Sequence, residues 1–289
     1  MPELPEVEVV KRSLNNKVQN LIIKGVKIND GRLRYPVDKK EIIKVIGLKL
    51  KKIRRRSKFL LFFFSQNTVM LVHLGMTGKF FFLNKKNITF KTSFYYNINV
   101  KKDRKHDHVE FFLSKNQKLI YNDVRKFGFI KLFNKKNLYN NFHLNNLGPE
   151  PIGKNFNLDY FRKKLLGKNR VIKDIIMDQK IVSGIGNIYA NEILFLSKVK
   201  PFRQAKSLKD FELKKIIKFT KIILKNSIKL GGSSIKDFSS NNGKKGLFQQ
   251  YFKVYGKKGE FCSNKNCNKK IFKSKISNRA TFYCIKCQK

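Results

Sequence analysis

Two groups of residues have the types and spacing to do chemistry, one near each end of the chain. Cys262 and Cys267 flank four residues, Cys284 and Cys287 flank two, and sixteen residues separate the pairs. Two close pairs on two knuckles present four thiolates tetrahedrally, the donor set of structural zinc. Four sulfurs leave no open position, so one Zn2+ held there is structural rather than catalytic. These are the chain's only four cysteines, and a single local cluster favours metal over disulfides. So short a segment has little core, and metal binding would supply most of its folding free energy, on the order of 10 kcal/mol.

The second group is Pro2 and Glu3, directly after Met1. A small second residue allows the initiator Met to be removed, leaving Pro2 with a free secondary amine. An α-amino group has a pKa of about 8, so roughly a tenth is neutral at pH 7, far more than of an ordinary lysine. Such an amine attacks an aldehyde-like carbon and forms an iminium, which acts as an electron sink. Glu3 can shuttle protons beside it, or simply complement a helix dipole.

The elements that must position these groups follow from periodicity. Val7, Val10, Leu14 and Val18 recur at helical spacing and Pro5 suits a first turn, predicting a helix over 3–18. Short β-branched or aromatic runs at 21–28, 48–53, 59–64, 69–73, 80–83, 109–113 and 118–121 predict strands. Many strands without intervening helices make a sandwich or a barrel. Leu147-Gly148-Pro149-Glu150-Pro151 is rigid punctuation and marks a domain boundary. Helical spacing then takes over at 158–166, 171–178, 187–197 and 208–230, and 231–246 is a Gly-, Ser- and Asn-rich loop. The chain is therefore α+β and multidomain: 1–150 a helix with a β domain, 151–252 a small helical domain, 253–289 the cysteine-bearing segment. No internal repeat is present.

Composition bounds the function. Of 289 residues 41% are hydrophobic, which excludes a disordered tail protein. Lys and Arg number 65 against 19 Asp and Glu, a net charge of +46 that suits a polyanionic partner. Heavy use of Lys, Asn and Ile shows that base composition also inflates that charge. The acidic start lacks the positive region of a secretory signal, and the apolar block 59–64 is too short to cross a bilayer. The expected location is cytoplasmic and nucleoid-associated, with no membrane partner.

The opening Met1-Pro2-Glu3-Leu4-Pro5-Glu6-Val7-Glu8 resembles that of the formamidopyrimidine-DNA glycosylases, bacterial repair enzymes for oxidised purines. The likeness runs nearly end to end. It includes Gly31-Arg32-Leu33-Arg34, Ser57-Lys58-Phe59-Leu60, His73-Leu74-Gly75-Met76-Thr77-Gly78 and Lys105-His106-Asp107-His108-Val109. It continues through Asp123-Val124-Arg125-Lys126-Phe127-Gly128, the 147–151 segment, Gly184-Ile185-Gly186-Asn187-Ile188-Tyr189-Ala190, and Arg279 with Cys284 and Cys287.

The resemblance implies a β-sandwich at the N-terminus, a helix–two-turns–helix domain, and a C-terminal zinc-finger β-hairpin. It implies a monomer acting on double-stranded DNA that contains oxidised bases or abasic sites. A stacked base hides its glycosidic carbon, so the damaged nucleotide is flipped out of the duplex. Pro2 then attacks C1′, the base leaves, and the Schiff base drives β- and δ-elimination. Glu3 matches the acid that assists base release, Lys58 the proton donor for β-elimination, and Arg279 the residue tied to δ-elimination and phosphate. Met76, Arg125 and Phe127 match the trio that fills the void left by the flipped base. The three side chains suit that role, as an adaptable thioether, a donor for the orphaned cytosine, and a wedge. His106, Lys168 and Asn187 match DNA contacts, and the 231–246 loop matches the segment closing over the flipped base. His106 and His108 alternate on one strand face, but two histidines without a third ligand make a poor metal site.

The chain departs from the family pattern in two places. Its first cysteine pair spans four residues instead of two, and 84–104 is a long Asn-, Lys- and aromatic-rich insert, expected as an exposed loop. Two other readings compete: an endonuclease VIII-like glycosylase for oxidised pyrimidines, and a non-catalytic DNA-binding zinc protein.

Overall fold

The computed structural model describes residues 2–84, the backbone of 89–91, residues 104–233 and residues 248–289. The chain divides into two compact units, Met1–Asn145 with Leu230–Leu247, and Asn146–Lys229 with Phe248–Lys289.

The first unit begins with helix α1 (Leu4–Val18), whose Val7, Val10, Leu14 and Val18 form one buried face. The strands are β1 (Ile23–Ile28), β2 (Leu50–Arg56), β3 (Phe59–Phe64), β4 (Thr68–His73) and β5 (Lys79–Leu83), then β6 (Thr89–Lys91), β7 (Asp107–Leu113), β8 (Gln117–Asn122) and β9 (Phe129–Asn134), with a short helix α2 (Lys39–Ile42) after β1. They make two sheets, a five-stranded one ordered β1-β7-β8-β5-β6 and a four-stranded one ordered β2-β3-β4-β9. One core joins Leu60, Phe62, Met70 and Val72 of the smaller sheet to Phe80, Phe82, Val109, Phe111 and Tyr121 of the larger, with α1 packed on it. Phe62 and Phe80 meet across the layers at 5.5 Å between ring centroids. The architecture is therefore a sandwich, not a closed barrel.

Two features differ from expectation. The run Phe129-Ile130-Lys131-Leu132-Phe133-Asn134 forms β9 and pairs with β4 along its length, from Thr68↔Asn134 to His73↔Phe129. Part of the 84–104 insert is not loop: β6 pairs antiparallel with β5 and lengthens the larger sheet. The rest of the insert lies outside the described residues, as does the 231–246 loop beyond Ser233.

The second unit holds α3 (Leu158–Leu165), α4 (Ile172–Met177), α5 (Asn187–Leu196) and α6 (Asp210–Lys229), followed by a hairpin of β10 (Phe272–Ile276) and β11 (Arg279–Tyr283). A small core joins Phe195 of α5 to Val254, Ile271, Phe282, Cys262 and Cys284. Buried Glu192 ties the chain entering this module to α5, accepting backbone N–H groups of Lys253, Val254 and Tyr255 at 2.8–3.0 Å. Burial pushes its carboxyl above the usual range, and those three donors oppose the rise. Among the described residues no helix is long and apolar enough to cross a membrane.

Candidate active site and metal centre

Pro2 is buried and stands just outside the first turn of α1, where Glu3 is the N-cap. The Glu3 carboxylate accepts from the backbone N–H of Glu6, and Glu6 Oε2 accepts from the N–H of Glu3 at 2.9 Å. This reciprocal cap satisfies two otherwise orphaned donors and contributes about 1 kcal/mol. It also fixes the peptide carrying Pro2. Glu6 does more than cap, because its Oε1 accepts from both the N–H and the hydroxyl of Ser233, at 2.9 and 3.0 Å. Gly232 precedes Ser233 at φ +82°, and a Cβ there would lie 3.2 Å from Glu6 Oε1. Glycine therefore admits the carboxylate, and the start of the 231–246 segment is pinned beside the N-terminal residues.

Lys58 lies in the tight β2–β3 turn, after Ser57 at φ +55°, and is only 6% exposed. Arg55 braces this turn by donating to Ser57 O at 2.9 Å and to Glu8 Oε2 on α1 at 3.0 Å. One helix thus locates Pro2, Glu3 and, through Glu8, the turn of Lys58. Burial pushes the Glu8 carboxyl up, but Arg12, Arg55 and Lys11 outweigh it and leave Glu8 below the usual carboxylate range.

The sequence assigns no role to His73, and the structure brings it to this cluster. Its Nδ1 accepts from the Gly75 N–H at 3.1 Å and its ring stacks on Phe129 at 5.7 Å. Burial, the Lys58 ammonium, the Arg34 guanidinium and His143 together push its pKa down to about 3. At neutral pH it is an uncharged imidazole among cations. A histidine two residues before a Gly-Met turn was the available signal.

Met76, Arg125 and Phe127 sit on two interlocked turns. Asp123, wholly buried, is the hub. Its carboxylate accepts from the Thr77 hydroxyl, from Arg125 N at 3.3 Å and from Gly128 N at 2.8 Å. The turns approach too closely for side chains at their glycines: a Cβ on Gly75 would lie 2.4 Å from Gly128 N, and one on Gly128 1.8 Å from the Tyr121 hydroxyl. Outward from this base stands Phe127, 45% exposed, with the Arg125 guanidinium 4.6 Å from its ring centroid. Met76 is half-buried on the facing turn. An apolar wedge, a cation and a thioether are therefore displayed on one rigid base. His106 closes a short 3-10 turn (Arg104–His106) and accepts from Asp123 N through its carbonyl at 3.1 Å. Buried His108 places both ring nitrogens against backbone carbonyls, Asp30 O at 3.0 Å and Asp123 O at 2.8 Å. It braces this turn and is no metal ligand with His106.

In the second unit, Asn187 opens α5 and donates through Nδ2 to Ala280 O at 3.0 Å, while its Oδ1 is buried without a partner among the described residues. Arg279, exposed at the start of β11, precedes that alanine. Lys168 is exposed on the turn after α3. The lysine brought to Asn187 and the Arg279 strand is Lys173, wholly buried, donating to Ala280 O at 2.9 Å and Thr281 Oγ1 at 2.8 Å. Sequence reasoning passed over Lys173 because it lies on the apolar face of α4. A lysine at a core position is itself a signal, since burial demands that its donors be satisfied.

The four cysteines converge. Their sulfurs all lie within 4.8 Å of one another, with Cys262 to Cys287 at 3.8 Å and Cys267 to Cys284 at 3.6 Å. A tetrahedral ion with bonds of about 2.3 Å requires sulfurs about 3.8 Å apart. The donor set and the spacing both fit zinc, and the four-residue first knuckle does not prevent closure.

Residues 1–130 match the family described as Formamidopyrimidine-DNA glycosylase N-terminal domain, and 147–239 the Formamidopyrimidine-DNA glycosylase H2TH domain. A formamidopyrimidine-DNA glycosylase of Rickettsia bellii is 41% identical over 289 residues, covering all of both chains. That of Rickettsia massiliae is 39% identical over 288 residues, covering all of this chain and 97% of the other. A variant of the Lactococcus lactis FPG bound to Fapy-dG-containing DNA superposes with a TM-score of 0.85 at 32% identity, with full coverage of both chains. The same bacterium's protein bound to DNA with an abasic site gives 0.84 at 32% identity over 99% of each. The fold and these matches are those of a DNA glycosylase of DNA repair. The chain belongs to the formamidopyrimidine-DNA glycosylase family.

Proposed function

We propose that this chain excises oxidised purines, 8-oxoguanine and formamidopyrimidines, from double-stranded DNA and then cuts the strand as an abasic-site lyase. The observation that carries the reading is the cap of α1. Pro2 and Glu3 occupy its start, and the same helix fixes the turn of Lys58. In this reading Met1 is removed and the Pro2 amine attacks C1′ of the flipped nucleotide. Glu3 assists base release. The iminium acidifies the C2′ protons, and Lys58 protonates the leaving group of β-elimination. His73, neutral beside Lys58, adds a hydrogen-bonding ring without further charge. Met76, Phe127 and Arg125 fill the void and meet the unpaired cytosine.

His106, Lys168, Asn187 and Arg279 are the proposed DNA contacts, Arg279 also serving δ-elimination. Lys173 holds the Arg279 strand in place. The amides opening α5, with the Asn187 side chain, suit a phosphate. Cys262, Cys267, Cys284 and Cys287 hold one structural zinc. The proposed division is 1–150 catalytic, 151–252 DNA-gripping and 253–289 zinc finger, in a cytoplasmic monomer.

Borohydride reduction tests the reading. Incubation with duplex carrying 8-oxoguanine opposite cytosine should trap a covalent complex, and Pro2→Gly should weaken or abolish it. Undiminished trapping by that variant would move the nucleophile to a lysine. Mass spectrometry should find Pro2 as the first residue of the mature chain. A Lactococcus lactis relative has been solved with oxidised-pyrimidine-containing DNA, so a duplex carrying an oxidised pyrimidine belongs in the same assay. Faster excision from it would favour the endonuclease VIII-like alternative.

A further inference from the structure

The second unit contains a cavity that the proposed glycosylase chemistry does not use. It measures about 600 Å³, and its walls come from the end of α5, the start of α6 and both cysteine knuckles. Five of its lining residues are lysines: Lys198, Lys215, Lys265, Lys286 and Lys289. The lining holds one acidic side chain, Glu212, and that carboxylate is already engaged by Arg203, with Nη2 to Oε2 at 3.0 Å. Phe211 stands at the wall, 55% exposed, with the Lys215 ammonium 5.3 Å from its ring centroid. The cavity is thus concave, cationic and in part aromatic.

Its position separates it from two of the proposed DNA contacts, Asn187 and Arg279. Asn187 opens α5 while Ser197 and Lys198 follow its other end, and ten helical residues span about 15 Å. Arg279 begins β11 while Lys286 and Cys287 lie beyond its other end, a further 14 Å or so by strand rise. Two independent elements therefore place this cavity at the far end of the module from Asn187 and Arg279.

We propose that the cavity docks an acidic peptide segment of a partner protein, one carrying carboxylates around a single apolar side chain. The lysines meet the carboxylates, and the apolar residue packs on the open part of the Phe211 ring. A duplex is convex and too wide to enter such a hollow. A single strand is the competing polyanion, and lysine's point charges serve its phosphates and a peptide's carboxylates alike, so the aromatic wall decides between them. One face of Phe211 is occupied by Lys215, which hinders flat stacking of a base.

Fluorescence anisotropy on the zinc-loaded full chain tests this. The probe is a fluorescein-labelled ten-residue peptide of Asp and Glu with one central Phe, and the controls are the same peptide with Ser for Phe and an oligothymidylate. The labelled peptide should bind in the micromolar range and the Ser control about tenfold more weakly. Lys198→Glu with Lys215→Glu should weaken binding by about tenfold or more, and Phe211→Ala should weaken the Phe peptide but not the Ser control. Nicking of lesion DNA and zinc content should stay unchanged in these variants. The proposal fails if the variants bind the peptide undiminished, or if the Ser control binds equally well. It also fails if oligothymidylate binds more tightly than the peptide and loses affinity in the Lys198→Glu, Lys215→Glu protein, which would make the cavity a nucleic-acid site.

Discussion

At the scale of residues, the site is built by carboxylates that are not themselves reactive. Glu6, Glu8 and Asp123 each gather donors from separate segments: Glu6 from Glu3 and Ser233, Glu8 from Arg12 and Arg55, Asp123 from Thr77, Arg125 and Gly128. Asp123→Ala should orphan the Thr77 hydroxyl and the Gly128 N–H in a buried setting, while Arg125 N keeps its bond to Thr77 Oγ1 at 2.9 Å. Each orphaned donor costs about 1–3 kcal/mol, so urea unfolding should show a loss of about 2 kcal/mol or more. The Arg125–Phe127 turn would lose its base, and excision should fall further than stability alone explains at temperatures where the variant is folded. His73 yields a second expectation. Its pKa is about 3 in the native chain against an ordinary value of 6.5, so between those limits the unfolded chain binds a proton that the native one refuses. Its contribution is therefore complete above about pH 6.5 and is lost progressively as pH falls toward 3. His73→Asn should flatten this dependence: urea midpoints measured at pH 7 and pH 5 should differ less in the variant than in the parent.

At the scale of elements, the hairpin carrying Arg279 has little to hold it apart from the proposed zinc. Its ladder is five residue pairs long, from Phe272↔Tyr283 to Ile276↔Arg279, and its core includes two of the cysteines themselves. Lys173, Asn187 and Asn191 dock it on α4 and α5 through Ala280 O, Thr281 Oγ1 and Phe282 N. Those bonds position a strand that already exists but do not form its second knuckle. Stripping the metal with a strong chelator should therefore abolish amide protection in Phe272–Ile276 and Arg279–Tyr283, while β3 and β4 keep theirs by hydrogen exchange. Retained protection in the hairpin would show that the core suffices without zinc. The helix, most strands and the cysteine cluster were legible in the chain because each rests on local periodicity or spacing. β9 was not, because Phe129 follows directly on the 123–128 turn and its partner β4 is about sixty residues away. The role of Asp123 was equally hidden, since Thr77 lies 46 residues from it and no local pattern links them. Lys173 was missed because its reason for being buried lies more than a hundred residues downstream, in Ala280 and Thr281.

At the scale of the whole molecule, the net charge of +46 far exceeds what a few phosphate contacts require. Salt dependence separates the charges that grip DNA from those that merely decorate the surface. Only cations that displace condensed counterions enter the slope of log affinity against log salt, at about −0.9 per phosphate neutralised. A grip that neutralises roughly five to eight phosphates would give a slope of about −4.5 to −7. Replacing Arg279 by Ala should lower the magnitude by about one unit, because it removes one phosphate partner. Replacing the exposed lysines Lys39 and Lys40, which belong to the short helix α2 and have no place among the proposed contacts, should leave the slope unchanged. A slope much steeper than −7 would mean that the diffuse surplus itself binds DNA. A slope near zero would remove the phosphate grip from the account altogether.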